Sequence, residues 1–351
     1  MEDVAGLSAE TLGRAYAGKR VLITGHTGFK GSWLSFWLAR LGAQVTGFAL
    51  PPDAQPAMFE GMRLAELLRH VEGDVRDRGA VERVMAETKP ELLFHLAAQP
   101  LVRRSYREPV ETFATNVMGT AHVLAALPRQ CAAVVVTSDK CYLNPGDGRP
   151  LPEDAPLGGY DPYSASKAAQ EMVVDSFRRS FSLRVASARA GNVIGGGDQA
   201  EDRILPDAVR ALLNGRPIPV RNPRSTRPWQ HVLEPLAGYL LLGARLAGDP
   251  SFARPFNFGP DGSASVSDLV EAAIGAFGAG GWEHKAEAAP AQEAKALALD
   301  SSRARSELGW APRWDLSQAV RKSVVWYRAQ ATGKDLREIT ALQINDYLEA
   351  G

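Results

Sequence analysis

The run Tyr163-Ser164-Ala165-Ser166-Lys167 sets a phenol and an ammonium four residues apart, which on a helix puts them on one face. A tyrosine with a pKa near ~10 is a poor base at neutral pH. A nearby positive charge favours the phenolate and fits it to draw a proton from a hydroxyl. Upstream, Val134-Val135-Val136-Thr137 leads into Ser138-Asp139-Lys140-Cys141-Tyr142. A serine at that point can hold an oxygen that is being oxidised. The acid and amine beside it supply what removal of water needs: one group takes a proton from carbon and another protonates the departing hydroxyl. In that scheme Lys140 must be neutral, with a pKa well below ~10.4, and Asp139 must be protonated, with a raised one. Ser138, Asp139, Lys140, Tyr163 and Lys167 are the expected catalytic set.

A third pattern supplies the oxidant. Directly after the apolar run Arg20-Val21-Leu22-Ile23-Thr24 comes Gly25-His26-Thr27-Gly28-Phe29-Lys30-Gly31. A strand, a glycine turn and a helix start in that order form a pyrophosphate cradle, because side chains at the glycines would block the approach. The helix N-terminus adds amide N–H groups and a positive dipole end, and Lys30 a positive charge near phosphate. The second strand runs into Ala49-Leu50-Pro51-Pro52-Asp53, so the acid that would hold the adenosine ribose is missing or displaced to Asp53. No arginine stands there to grip a 2′-phosphate, which favours NAD. Asp74, in Gly73-Asp74-Val75, is placed to accept a hydrogen bond from the adenine amino group.

The elements that must carry these groups alternate. Strands are expected at 20–24, 45–50, 71–74, 92–96, 132–137 and 185–189, with helices at 32–41, 64–70, 80–89, 110–127 and 163–181, after a first helix at 8–17 capped by Ser8. Repeated β-α-β of this kind predicts an α/β fold, a Rossmann-type doubly wound parallel sheet. Near residue 198 the alternation stops, and prolines at 206, 217, 219, 223 and 228 divide the chain into short pieces. A helix at 232–246 and a strand at 256–258 return to the sheet. Helices near 266–277, 301–308 and 316–330 suit a smaller, mostly helical substrate-binding lobe, with 275–291 as a loop. The expected division is a dinucleotide-binding domain over 1–198, with 230–262 returning to it. The lobe is then 199–229 and 263–351.

In 351 residues, forty basic side chains balance forty acidic ones, so nothing points to nucleic acid or a membrane surface as partner. No apolar run reaches the ~20 residues that span a bilayer, and the first residues lack a signal-peptide core. Two cysteines, Cys131 and Cys141, argue against a disulfide framework and for a reducing compartment, with the cytoplasm as default. No metal site is expected. Arg203, Arg221, Arg227 and Arg303 are candidates for gripping a substrate diphosphate, since guanidinium matches phosphate oxygens bidentately. Asn192 is a candidate for a phosphate oxygen or a sugar.

Longer runs carry a resemblance: Gly25 to Leu34, His95-Leu96-Ala97-Ala98-Gln99-Pro100-Leu101-Val102-Arg103, Thr115-Asn116-Val117-Met118-Gly119-Thr120, Thr137 to Tyr142, Gly158 to Ser164, Arg189 to Asp198 and Arg227 to Pro235. From residue 18 to about 330 the chain resembles the CDP-glucose 4,6-dehydratase family of extended short-chain dehydrogenase/reductases. Ser138-Asp139-Lys140 is the telling stretch, because related dTDP-glucose dehydratases carry Glu where Lys140 stands. The resemblance implies NAD held by Gly25, Thr27, Gly28, Phe29, Lys30, Gly31, Asp74, Val75, Leu96, Ala97, Ala98, Gln99, Asn116, Thr137, Tyr163, Lys167, Asn192 and Val193. It implies a nucleotide-diphospho-sugar held by Gln99, Arg103, Ser138, Asn192, Arg203, Leu205, Arg221, Arg227, His231 and Arg303. It also implies a homodimer, or a dimer of dimers, built through helices 110–127 and 163–181. The expected activity is a hydro-lyase one, dehydration of a nucleotide hexose for deoxysugar biosynthesis. A 4-epimerase or a dehydratase for another nucleotide, and more remotely a non-catalytic cofactor sensor, are the alternatives.

Overall fold

The computed structural model describes residues 7–53, 56–285 and 297–350. Short runs rich in aliphatic residues form β1 (Arg20–Thr24), β2 (Gln44–Ala49), β3 (Arg69–Glu72), β4 (Leu92–His95), β5 (Ala132–Val136), β6 (Val185–Ala190) and β7 (Phe256–Phe258). They make one parallel sheet in the order β3-β2-β1-β4-β5-β6-β7. Successive side chains in a strand point to opposite faces, and the sheet feeds a separate apolar cluster on each. Val21, Ile23, Phe94 and Val134 join one, while Leu22, Leu93, Ala133 and Val135 join the other. That is why the strands read as unbroken apolar runs. The order reverses between β1 and β4, so a crevice opens beyond the carboxyl ends of these strands.

The helices start where capping chemistry allows. Ser8 caps Ala9–Tyr16, Asp77 caps Arg78–Thr88 and Asp161 caps Pro162–Phe181, each side chain accepting from a backbone N–H. The helix after the glycine turn begins at Phe29 and runs to Arg40, earlier than the expected residue 32.

Four expectations need correcting. The expected helix at 64–70 is only a 3-10 turn, Leu64–Glu66, because Arg69–Glu72 is already paired with β2. Pairing to a central strand outweighs a brief apolar periodicity. The expected helix at 110–127 is Pro109–Phe113 and Gly119–Ala125 joined by a π turn, Ala114–Met118. Pro206 does not break the chain: it lies in the first turn of Ile204–Leu213, where its missing N–H costs no helical bond. The loop expected at 275–291 contains the end of helix Val266–Phe277 and a strand, Trp282–His284, parallel to Ile218–Val220; residues 286–291 lie outside the described residues.

The later part of the chain is helical, as expected, with small strand pairs between helices. Helix Leu233–Gly248 covers the sheet, and Leu316–Ala331 packs on Val266–Phe277. A helix not foreseen, Leu336–Glu349, packs on Leu316–Ala331 and on Phe29–Arg40, the helix after the glycine turn. Tyr347 meets Trp37 edge-on at 6.2 Å and donates its hydroxyl to Glu234 Oε2 at 2.6 Å. No helix among the described residues is long and apolar enough to cross a membrane.

Gly196 packs directly against the helix Leu316–Ala331. A Cβ there would lie 2.1 Å from the ring of Trp326, a fully buried side chain whose Nε1–H is held by Thr340 Oγ1 at 2.9 Å. Gly196→Ala should therefore destabilise the fold by about 1–3 kcal/mol through overpacking. Urea unfolding checks this as a lower midpoint at unchanged slope.

Candidate active site

At the end of β5 the chain leaves the sheet at Thr137, and Ser138 caps a single 3-10 turn, Asp139–Cys141. Ser138 Oγ accepts the Lys140 amide N–H at 3.2 Å and donates to Asp139 Oδ1 at 2.8 Å. The turn packs on helix Pro162–Phe181, which brings the Ser138 hydroxyl to the Tyr163 phenol. Tyr163 is anchored in turn by its own amide, which donates to Ser105 Oγ at 3.1 Å. Burial pushes Asp139 above the usual carboxylate range, against the pull of Lys140, Ser138 and Lys30. An upward shift of this kind favours the protonated form, the one that can donate to a leaving group. Lys140 is half-buried at the rim of the turn.

The redox pair differs from expectation in one respect. Burial pushes the Tyr163 phenol up to about 12, with Ser138 drawing it down, Asp139 raising it and Arg203 lowering it. Lys167 donates Nζ to Gln170 Oε1 at 2.9 Å, and burial, with Lys30 nearby, lowers its pKa to about 7. Desolvation thus outweighs the favourable phenol–ammonium interaction that the Tyr-Lys spacing suggests.

Behind the triplet lies a buried charge network that the sequence reading missed. Glu171, one turn past Lys167, accepts from Thr137 Oγ1, from Ser187 Oγ at 2.7 Å and from Arg189 Nη2 at 2.7 Å. Arg189 also donates to the Tyr142 hydroxyl at 2.7 Å and to Glu153 O at 2.9 Å. Tyr142 then donates to Asn257 Oδ1 at 2.7 Å on β7. The triplet is therefore tied to the helix on both sides, through Thr137 before it and Tyr142 after it. Only the four-residue step from Lys167 to Glu171 hinted at this. Burial raises the Glu171 carboxyl, but Arg189 and the two hydroxyls prevail, and it is held below its ordinary value.

A second chain runs from β1 to Lys167. The Ala97 amide donates to Thr24 Oγ1 at 3.2 Å; Thr24 meets His95 Nδ1 at 2.7 Å and His95 Nε2 meets Thr120 Oγ1 at 2.9 Å. Gln170 Nε2 donates to the same Thr120 oxygen at 2.9 Å. Burial drops His95 to about 3, so it is a neutral link. Asn116, on the π turn, accepts the Gln99 N–H at 2.8 Å and donates to Gln99 O and Ser166 Oγ.

The glycine loop has the shape a pyrophosphate needs. Gly25 has φ +76°, and a Cβ there would lie 2.7 Å from Ala97 N; one at Gly31 would lie 2.1 Å from Gly25 O. The backbone is drawn in as far as glycine permits, with Gly28 at the N-cap of helix Phe29–Arg40, which fits a dinucleotide phosphate. Thr27 donates to Leu50 O at 2.8 Å. Asp74 accepts from Arg76 N at 2.9 Å and Nε at 2.8 Å, so Arg76 shares the carboxylate expected at adenine. Val75 packs below Gly119. Lys30 is not confined to the phosphate side. Burial and Arg203 lower it to about 8, while Asp139 and Asp198 pull it up, so its charge is felt by both carboxyls as well as at the phosphate cradle.

The expected substrate residues divide. Arg203 lies near Lys30, Asp198 and Tyr163, and Gln99 is buried beside Asn116. Arg103 and Arg221 both pair with Asp202, at 3.8 and 2.9 Å. Arg227 lies half-buried on a strand pair with Ala264–Ser265. Asn192 O accepts the Gln230 N–H at 3.0 Å, and Val193 pairs with Gln230. Arg303 donates to Pro255 O at 3.0 Å and sits 3.6 Å from Glu153, so it takes part in the buried network. His231 needs correcting: it is fully buried between Trp33 and Trp314, in the core rather than on a sugar. Leu205 is likewise in the apolar core. Among the described residues no cluster of acidic, histidine or cysteine side chains could hold a metal.

A nucleotide cradle beside a Tyr/Lys helix and an acid–amine turn define a nucleotide-sugar-modifying member of this fold. The sequence model of the GDP-mannose 4,6 dehydratase family matches residues 22–323, and the chain belongs to that family. Within it, the chain is 45% identical to the CDP-glucose 4,6-dehydratase of Salmonella typhimurium, over 95% of this chain and 98% of that protein. It is 31% identical to a UDP-glucose 4-epimerase of Mycolicibacterium smegmatis, over 88% and 98%. The crystal structure of DesIV, a dTDP-glucose 4,6-dehydratase from Streptomyces venezuelae with NAD and TYD bound, superposes with a TM-score of 0.77. That match covers 90% of this chain and 99% of DesIV at 24% identity and establishes the shared fold.

Arg189 and Glu171 are 4% and 3% exposed. Removing one partner of such a pair strands a buried charge, which costs about 3–5 kcal/mol. Arg189→Met should lower stability by that amount, and adding Glu171→Gln should recover part of it. Chemical denaturation of the single and double variants checks this.

Proposed function

We propose that this chain is an NAD-dependent hydro-lyase that converts CDP-glucose to CDP-4-keto-6-deoxyglucose, a step in deoxysugar biosynthesis. The observation that carries the reading is the Ser138-Asp139-Lys140 turn set against Tyr163. A 4-epimerase needs the serine and the tyrosine, but an acid and an amine at the same turn serve an elimination. The 45% identity to a CDP-glucose 4,6-dehydratase supports the nucleotide and the sugar.

NAD, when bound, would supply the chemistry of accepting a hydride from C4 and returning it at C6. The glycine loop, Asp74, Asn116 and Lys167 would hold it. Tyr163 takes the C4 hydroxyl proton while Ser138 holds the C4 oxygen. The ketone acidifies the C5 proton, which Lys140 removes. Asp139, whose pKa burial raises, acts as the acid that gives a proton to the hydroxyl leaving C6. Arg203, with Arg103, Arg221 and Arg227, would grip the diphosphate, and the lobe over 199–229 and 263–351 would close on the nucleotide. Buried, unpaired Cys131 and Cys141 fit a reducing, cytoplasmic setting.

The test is to incubate the protein, without added NAD, with CDP-, dTDP-, UDP- and GDP-hexoses. A 4-keto-6-deoxy product from CDP-glucose is expected, with no NADH released. A C4 epimer, or NADH formed one-to-one with product, would defeat the reading. Lys140→Met should lose solvent deuterium exchange at C5 and turn over at least about a hundredfold more slowly.

The assembly we propose is a homodimer, or a dimer of dimers, through the helices spanning 109–125 and 162–181. Val110, Met118 and Met172 are 75%, 51% and 58% exposed on them. Val123, on the first of these helices, is buried in the core. A dimer at micromolar concentration is expected in sedimentation velocity; a monomer would count against it.

A further inference from the structure

A hexose differs from a pentose of the same ring in the hydroxymethyl group on C5, and dehydration breaks the C6–O bond of that group. The site must therefore seat the hydroxymethyl within hydrogen-bond reach of its acid. Asp139 has two carboxyl oxygens to offer. Oδ1 accepts from Ser138 Oγ at 2.8 Å, and Oδ2 is turned to Gly191, where a Cβ would lie 3.3 Å from it.

Gly191 follows β6, and its backbone does not call for glycine. Its φ lies outside the left-handed region, so an L residue can adopt it. Close packing does not forbid a side chain either. At Gly196 and Gly25 a Cβ would be driven to 2.1 and 2.7 Å from its neighbours, whereas at Gly191 the tightest approach is 3.2 Å, to Pro228 Cγ. The neighbours would need to yield only a few tenths of an ångström. Gly191 is half-buried and forms the floor of a gap with the Asp139 carboxyl on one side and Pro228 on the other.

Two backbone bonds hold the walls of that gap. The Thr137 amide donates to Ala188 O at 2.9 Å, which fixes the start of the Asp139 turn to β6. The Gln230 amide donates to Asn192 O at 3.0 Å, which fixes the segment carrying Pro228 to the residue after Gly191. Resting on the dehydration reading, we propose that Gly191 determines the choice of a hexose: the gap over it, between Asp139 Oδ2 and Pro228, is the seat of the sugar's hydroxymethyl group. A side chain at 191 would take the place from which the C6 hydroxyl reaches Oδ2. Glycine leaves that place open, while the two walls restrict rotation about C5–C6.

Calorimetric titration of the NAD-loaded protein tests this, in a Tyr163→Phe background so that bound sugar is not oxidised. The probes are CDP-glucose and CDP-xylose, which has the same ring without the hydroxymethyl. Gly191→Ala should weaken CDP-glucose at least about tenfold, the penalty of overfilling a fitted space, and leave CDP-xylose within about twofold. Adding Pro228→Ala, which opens the opposite wall, should return part of the CDP-glucose affinity. The double variant carries the same comparison of sugars if Gly191→Ala alone impairs folding. Equal losses for the two sugars would make Gly191 a packing residue, and unchanged affinity for both would leave the gap unused; either result overturns the assignment, as would a loss for CDP-xylose alone. If the protein with Gly191 intact binds neither sugar nucleotide, the CDP-glucose reading fails instead, and the seat with it.

Discussion

Glu171 is a carboxylate that has given up water entirely, and the arrangement of the site depends on how it is satisfied. Desolvating such a group is costly unless a cation and hydrogen-bond donors replace the solvent. Here Arg189 of β6, Ser187 of β6 and Thr137 after β5 do so. Those donors come from two neighbouring strands and the acceptor from the helix that carries Tyr163 and Lys167. Satisfying one buried charge therefore fixes that helix against the strand ends. The spacing between Tyr163 and the Ser138-Asp139-Lys140 turn follows from it.

The sheet makes this possible by delivering β5 and β6 in parallel, with their carboxyl ends together. Side chains that follow consecutive strands then meet in one crevice although they are distant in sequence. The same geometry isolates the site. Burial raises Asp139 and depresses Lys167, so both groups are shifted more by exclusion of water than by any single neighbour. Tyr163 shows the cost of that choice, since burial raises its pKa as well.

Much of this was legible in the residues because the strands are central and buried on both faces, which leaves unbroken apolar runs, and because glycine turns and capping residues mark their own places. Tyr163 with Lys167, and Ser138 with Asp139 and Lys140, announce themselves through short spacing. What was hidden depends on partners far along the chain. Glu171 and Arg189 look like ordinary charged residues until β6 is laid beside β5. His231 looks like a polar residue in a site until Trp33 and Trp314 close around it. Leu336–Glu349 was passed over because what it packs against, Trp37 and Glu234, lies far upstream.

The π turn at Ala114–Met118 has a consequence of its own. A wider turn takes in one more residue than the regular α spiral, so the segments before and after it follow different angular phases. Before it, Thr112 meets Gln99; within it, Asn116 reaches Ser166; after it, Thr120 meets His95. These three side chains stand four residues apart, so they share the inward face, and the wider turn sits within that row. Removing a residue would restore a regular spiral and swing one half relative to the other by about 100°. The segment before the turn and the segment after it would then present different faces to the site, so in this helix length is itself a form of information, as specific as the identity of any side chain it carries.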